Sequence, residues 1–173
     1  MRFGDRQEVR LSIVVNARCF ASTSDSLQHT WAEVRKAARA AARDQSLDFA
    51  TLAVATNQDI ETGLVLLRRL APVDEISTGR SWMNHDALDL IASGESESLV
   101  VPQLVVSLRS TAVDSSSIRA APARVIRRFA GLVELKKAAA YFRDGEFSRD
   151  VRTVRLISRE PRSRLSDPGR VLR

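Results

Sequence analysis

The chain contains one cysteine, Cys19, in the run Arg18-Cys19-Phe20-Ala21-Ser22. The stretch from Ile13 to Asp25 reads as a buried strand, then the cysteine, then a small polar loop opening a helix. A helix start carries partial positive charge and unpaired N–H groups, and both favour a thiolate over a thiol. The chemistry this placement offers is nucleophilic: a thiolate attacking a disulfide or an oxidised thiol. Ser22 offers that thiolate a hydrogen bond or, alternatively, caps the helix. Against both stands the plain reading of Cys19 as a small buried hydrophobe.

The other chemically capable residues are sparse. A single cysteine excludes an intramolecular disulfide and a zinc cluster. His29 and His85 are far apart in sequence and read as surface or packing residues. Glu134-Leu135-Lys136-Lys137 has the E-x-K spacing of a nuclease motif, but no paired upstream acid stands out. A helix start with solvated charges is the simpler reading. Trp31 and Trp82 read as core.

The elements that must position Cys19 follow from hydrophobic periodicity. From Glu8 to Phe20, Val9, Leu11, Ile13, Val15 and Ala17 alternate with a mixed set, as in a strand. Ser24 or Asp25 caps the next helix, whose stripe is Leu27, Trp31, Val34, Ala38 and Ala41, ending near Gln45. Leu47 to Thr56 is apolar on both faces, so it predicts a strand covered on both sides, broken at Thr56-Asn57. A helix follows with Ile60, Leu64, Leu67 and Leu70 as its stripe, ending at Pro72. Val73 to Ser77 suggests a short strand. Asn84 caps a short helix through Ile91, closed by Ser93-Gly94. Alternating strands and helices argue for an α/β domain with the first two strands parallel.

In the second half, Val100 to Arg109 predicts a strand with Pro102 at its start or edge, because proline donates nothing to a ladder. Residues 110–122 read as a loop. Ala123 to Ala130 is either a strand ended by Gly131, with a helix from Val133 to Arg143, or part of one long helix over 117–143. The brackets Pro122 and Gly131 favour the strand. Val151 to Ile157 suggests a last strand, and 159–173, with two prolines and five arginines, a disordered tail.

Composition bounds the rest. With 173 residues, 44% apolar and 28% charged, the chain suits one soluble domain, placed at 1–158 with its core about 8–143. No apolar run reaches membrane-span length. The charged start lacks a signal-peptide core, which favours the cytoplasm unless a leader has been removed upstream. Residues 117–173 carry 15 Lys+Arg against six acids, so this third is strongly basic. Arg124, Arg127 and Arg128 form a candidate anion-binding patch for an acidic protein or nucleic acid. A solvated arginine-rich surface explains the same charge.

Four pieces in order resemble the thioredoxin-like fold, particularly its redoxin or TlpA-like branch. They are Val14-Val15-Asn16 leading into Arg18 to Ser22, the strand Phe49 to Ala55, Val101-Pro102-Gln103-Leu104, and Val125 to Leu132 with Gly131. The resemblance implies a three-layer α/β architecture, a central mixed sheet with helices on both faces. It implies that Cys19 occupies the redox motif, that Pro102 is a cis-proline facing it and shaping the substrate groove, and that Gly131 precedes the terminal helix. Arg18 replaces the usual tryptophan, Asn16 stands where peroxidatic relatives have threonine, and Cys-x-x-Cys becomes Cys19-x-x-Ser22. Serine cannot resolve a mixed disulfide, so exchange would need an external thiol such as glutathione. The implied function is thiol–disulfide exchange on a protein thiol or disulfide through Cys19, with Ser22 and Pro102 assisting. The alternative is a non-catalytic binding module using the basic C-terminal third. Copper chaperones of this type need two cysteines and a histidine, which argues against a copper role.

Overall fold

Strand β1 (Phe3–Val15) runs through the middle of the sheet, and its odd-numbered residues explain the core. Val9, Leu11, Ile13 and Val15 are fully buried and join one apolar cluster. The computed structural model describes residues 3–92, 100–113, 118–120 and 123–159. β2 (Asp48–Ala55) lies parallel to β1, and the short β3 (Glu75–Thr78) parallel to β2. β4 (Gln103–Val113) runs antiparallel along the other edge of β1. β6 (Arg124–Ala130) and the short β5 (Ile118–Ala120) both pair antiparallel with β4, at different heights. The result is a mixed six-stranded sheet, the α/β class expected.

One face carries most of the helices. α2 (Asp25–Asp44) buries Leu27, Trp31, Val34, Ala38 and Ala41, the predicted stripe. Ser24 is its N-cap, its Oγ accepting the Leu27 N–H at 3.2 Å. Trp31 donates from Nε1 to Leu70 O at 2.9 Å, so this buried tryptophan also satisfies its one polar atom. α5 (Gly131–Arg143) and α6 (Glu146–Arg159) add Leu135, Ala138, Phe147 and Val151 to the same cluster. On the opposite face Val14, Leu52 and Val54 pack against Ala87 and Leu90 of α4 (His85–Ala92). Helices therefore lie on both faces of the sheet. The Asn84 cap holds: its Oδ1 accepts the Ala87 N–H at 3.2 Å.

Several expectations need correction. The first strand ends at Val15, and Phe20 already belongs to the one-turn helix α1 (Phe20–Thr23). In α3 (Ile60–Arg68) the buried positions are Gly63, Leu66 and Leu67, while Ile60 is exposed. The helix is rotated because Gly63 is pressed onto β3: a Cβ there would stand 1.9 Å from Thr78 Oγ1 and 3.3 Å from Ala55 Cβ. β4 continues to Val113, so its pairing with β5 replaces part of the loop expected over 110–122; residues 114–117, 121 and 122 lie outside the described residues. Between Pro122 and Gly131 the strand reading holds against the single helix over 117–143. Val151 to Ile157 is helical, inside α6: Phe147, Val151 and Val154 face the core at helical spacing, which outweighs the short alternation of the segment. Ser93-Gly94 and the tail beyond Arg159 lie outside the described residues.

Candidate functional site

β1 and β2 are parallel and end level with each other, Val15 beside Ala55. The carboxyl ends of parallel strands are where α/β sheets leave space for ligands. Both chains leave the sheet there on polar residues, Asn16 and Thr56-Asn57, and these tie the two loops together. The Asn16 side chain donates from Nδ2 to Thr56 O at 2.9 Å and to Thr56 Oγ1 at 3.0 Å, and its Oδ1 accepts the Arg18 N–H at 2.9 Å. Its carbonyl accepts the Cys19 N–H at 3.0 Å. Asn57 answers from the other side, Oδ1 accepting the Ala17 N–H at 3.2 Å. The turn that presents Cys19 is therefore fixed by side-chain amides at both ends.

Cys19 is half-buried and unpaired by disulfide. Its Sγ donates to Val101 O at 3.2 Å. Val101 precedes Pro102 through a cis peptide bond, and Pro102 O accepts the Gly131 N–H at 2.8 Å. Gly131 has φ +78°, a region open to glycine and costly for other residues, and it turns the end of β6 into α5. Cys19 and Pro102, 83 positions apart, are thus brought together, and Gly131 with them.

Ser22 stands elsewhere. It is buried, and its Oγ accepts the Asn16 N–H at 3.3 Å. It therefore braces the turn rather than the thiol, and the long-helix cap is Ser24. Cys19 is the N-cap of α1, a helix of four residues, while the 20-residue helix begins only at Asp25. The helix N-terminus at Cys19 is one turn, with the Ser22 and Thr23 N–H groups closing on the Cys19 carbonyl at 2.9 and 3.3 Å. Arg18 is exposed, and Phe20 beside the thiol is 88% exposed.

A cleft of about 800 Å³ opens beside the thiol, between the 16–19 turn and the 56–59 segment. Val101 and Trp82 also line it. Trp82, expected in the core, is only partly buried and lines this cleft. Asp59 at its edge caps α3, its Oδ2 accepting the Thr62 N–H at 2.7 Å. Hydrogen bonds from Thr62 hold that carboxyl below the usual carboxylate range. Sequence reasoning missed Asn57 and treated Asn16 only as a departure from a pattern. The available signal was two polar residues directly following two buried strands.

The basic patch divides. β6 carries an extra residue opposite Val106 and Ser107, so Arg124 and Arg127 share the face of Leu108 and Val106 while Arg128 pairs with Val105 on the other. Arg127 lies over the Tyr141 ring, 5.7 Å from its centroid. Burial lowers the pKa of Arg128. The three arginines do not form one patch: Arg127 and Arg128 are adjacent in the strand and point to opposite faces, and the extra residue puts Arg124 on the Arg127 side. His29 and His85 are exposed, and His85 pairs with Asp89 at 3.3 Å. Lys137 pairs with Glu134 at 2.6 Å at the start of α5, as solvated helix charges do.

Among the described residues, no three His, Cys, Asp or Glu side chains gather as metal ligands would, and no helix is long and apolar enough to cross a membrane. Comparison with protein-family models, with curated proteins and with solved structures returns no match for this chain.

Proposed function

We propose that the chain is an atypical thioredoxin-like protein that carries out thiol–disulfide exchange through Cys19 alone. The observation that carries this is the meeting of Cys19 with the Val101-Pro102 segment, Sγ 3.2 Å from Val101 O, at the mouth of an open cleft. The order β1-helix-β2, then β4 and β6 antiparallel, then α5, supports the fold reading; so does the placement of Cys19 at the end of β1. An idle core cysteine would not need a turn held by Asn16, Asn57 and Ser22.

The exchange balances in two steps. The Cys19 thiolate attacks one sulfur of a substrate disulfide; a Cys19–substrate S–S bond forms and the other substrate sulfur leaves as thiolate. A thiolate cannot donate, so Sγ gives up the bond to Val101 O as it turns to its target. An external thiol, as its thiolate, then attacks the substrate sulfur of the mixed disulfide. Cys19 leaves as thiolate and the substrate departs bonded to the external thiol. Ser22 has no thiol to do this internally; its oxygen accepts the Asn16 N–H.

The test is turnover of a glutathionylated peptide by the full chain with glutathione as external thiol, with Cys19→Ser as blank. The expected result is a rate above the blank and a trapped adduct at Cys19 when glutathione is withheld. A rate equal to that of Cys19→Ser, with no adduct, ends the proposal.

A further inference from the structure

We propose that the outer face of α2, over its second half, binds the phosphate backbone of a single-stranded nucleic acid. This goes beyond the thiol-exchange reading and does not depend on Cys19. None of the residues involved lines the cleft beside the thiol.

The observation is a strip of cations that the fold gathers without acids. A concavity of about 340 Å³ on this face is lined by Arg35, Lys36, Arg39 and Arg43, with Ala32 and Ala40 between them. Arg35, Arg39 and Arg43 follow one another at four-residue spacing, a row that covers about 12 Å of helix axis. Like charges at that spacing repel and destabilise a helix. Several cations elsewhere meet acids: Arg10 with Glu75, Arg69 with Asp25, Arg143 with Glu33 and Lys137 with Glu134. The four on α2 form no ion pair among the described residues. Asp74 attracts Arg35 and Arg39, but its Oδ2 accepts the Thr51 N–H at 2.8 Å and the Thr51 hydroxyl at 2.7 Å and bonds neither arginine. Burial, with the charge of Arg39, lowers the Arg35 pKa. Repulsion of this kind is relieved by an anion from outside.

The walls decide which anion. Two alanines are the apolar residues present, so nothing there anchors a protein partner or enters a bilayer. What remains is recognition by charge and by guanidinium forks, which match phosphate oxygens two at a time. Arg39 is also held over the Phe49 ring, 5.3 Å from its centroid, so its fork is positioned. The strip is narrow. Beyond Lys36 and Ala40 a second concavity brings in Asp44 and Arg143, the latter paired with Glu33 at 2.9 Å, and the charge there is balanced. One line of cations along a helix suits the phosphates of one strand, whereas a duplex groove presents phosphates on both flanks.

The experiment titrates fluorescein-labelled oligothymidylate with the full chain and reads anisotropy between about 50 and 200 mM salt, where phosphate contacts weaken steeply. Each phosphate neutralised on a single strand adds about −0.7 to the slope of log K against log salt, so the four cations should contribute about −3. Replacing the three exposed ones together (Lys36→Gln, Arg39→Gln and Arg43→Gln) should flatten the slope by about 2 and weaken binding about tenfold or more at the lower salt. The thermal midpoint of this variant should hold or rise, since like charges are removed from one helix. A control removes the same charge from exposed arginines elsewhere: Arg68→Gln, Arg149→Gln and Arg152→Gln. It should change the slope by less than half as much. An equal change in the control assigns binding to net charge and overturns the proposal. So does an unchanged slope in the α2 variant, or no binding by the parent at low salt. Polyglutamate held as tightly as the oligonucleotide, or vesicles of phosphatidylserine bound in its place, would give the strip to another polyanion and overturn it as well.

Discussion

Asn16→Ala should loosen the turn that presents Cys19, and its cost can be worked from the bonds removed. The substitution deletes three side-chain hydrogen bonds: two donated to Thr56 at 2.9 and 3.0 Å, and one accepted from Arg18 N–H at 2.9 Å. At about 1 kcal/mol net each, the loss is roughly 2–3 kcal/mol, toward the upper figure because Thr56 is almost fully buried and its carbonyl loses a donor. For a urea slope of about 2 kcal/mol per molar, the unfolding midpoint falls by about 1–1.5 M. Fluorescence of the buried Trp31 reports the transition. A second variant separates hydrogen bonding from packing. Asn16→Asp has nearly the same shape and keeps the acceptor for Arg18, but at neutral pH it turns a carboxylate oxygen toward the Thr56 carbonyl. It should cost at least as much as alanine at pH 7. Once the acid is protonated, below about pH 4, it regains a donor and the deficit should narrow. Labelling of Cys19 in the native protein should lose its uniform rate in both variants. A change under about 0.5 kcal/mol for Asn16→Ala, with the labelling rate intact, would mean the amide does not organise the turn.

Three further perturbations test the frame around the site. Gly63→Ala should destabilise by about 1–3 kcal/mol, since its Cβ would meet Thr78 Oγ1 at 1.9 Å and overpack the contact between α3 and β3; a thermal melt indistinguishable from the parent would refute that packing. Tyr141→Phe should cost about 1–2 kcal/mol by losing the bond from its hydroxyl to Asp150 Oδ2 at 2.9 Å, while Tyr141→Ala should cost about 3–5 by also losing the edge-on contacts to Phe129, Phe142 and Phe147. Equal losses in the two variants would assign the whole effect to the hydroxyl. The Asp74 carboxyl is held below its ordinary range chiefly by the Thr51 hydroxyl at 2.7 Å, with the Thr51 N–H at 2.8 Å. A lowered carboxyl pKa stabilises the fold above about pH 4 and loses that contribution as the pH falls through the lowered value. Asp74→Asn should therefore trail the parent by about 1 kcal/mol at pH 7, discounted for an exposed carboxylate, and the gap should close in acid; a gap constant with pH would refute it.

The parts of this fold legible in the sequence are those where one residue type does one job. α2 could be read because a serine cap, an unbroken apolar stripe and a helix-compatible run agree. β2 could be read because apolar residues on both faces leave no helical alternative at eight residues. Val151 to Ile157 reads as a strand in sequence yet is helical, because seven residues fit either period and the deciding contacts come from outside the segment. Phe147 stacks against Phe142 with ring centroids 5.1 Å apart, and Asp150 receives the Tyr141 hydroxyl. Both contacts need α5 to be in place first. The N-terminal part of β1 has no alternating signal either. It is a strand because β4 extends far enough to pair with it, Arg6 beside Thr111.

The same distinction explains the site. Cysteine is rare and chemically loud, so one copy in 173 residues draws the eye whatever its surroundings. Asparagine after a strand is ordinary turn chemistry, and neither Asn16 nor Asn57 declares a partner in sequence. Their roles exist only because β1 and β2 end level, which puts residues 40 positions apart within one hydrogen bond of each other. Charge behaves like the asparagines. The basic count of the C-terminal third was plain, but Arg127 and Arg128, adjacent in β6, point to opposite faces, and one extra residue between Arg124 and Arg127 puts those two on the same one. A patch is a property of parity and register, which a count of arginines does not contain. The cleft is likewise a property of two strand ends and a proline segment arriving together. Substitutions at Asn16, Asn57 or Gly131 should therefore alter the setting of Cys19 while leaving the cysteine itself unchanged.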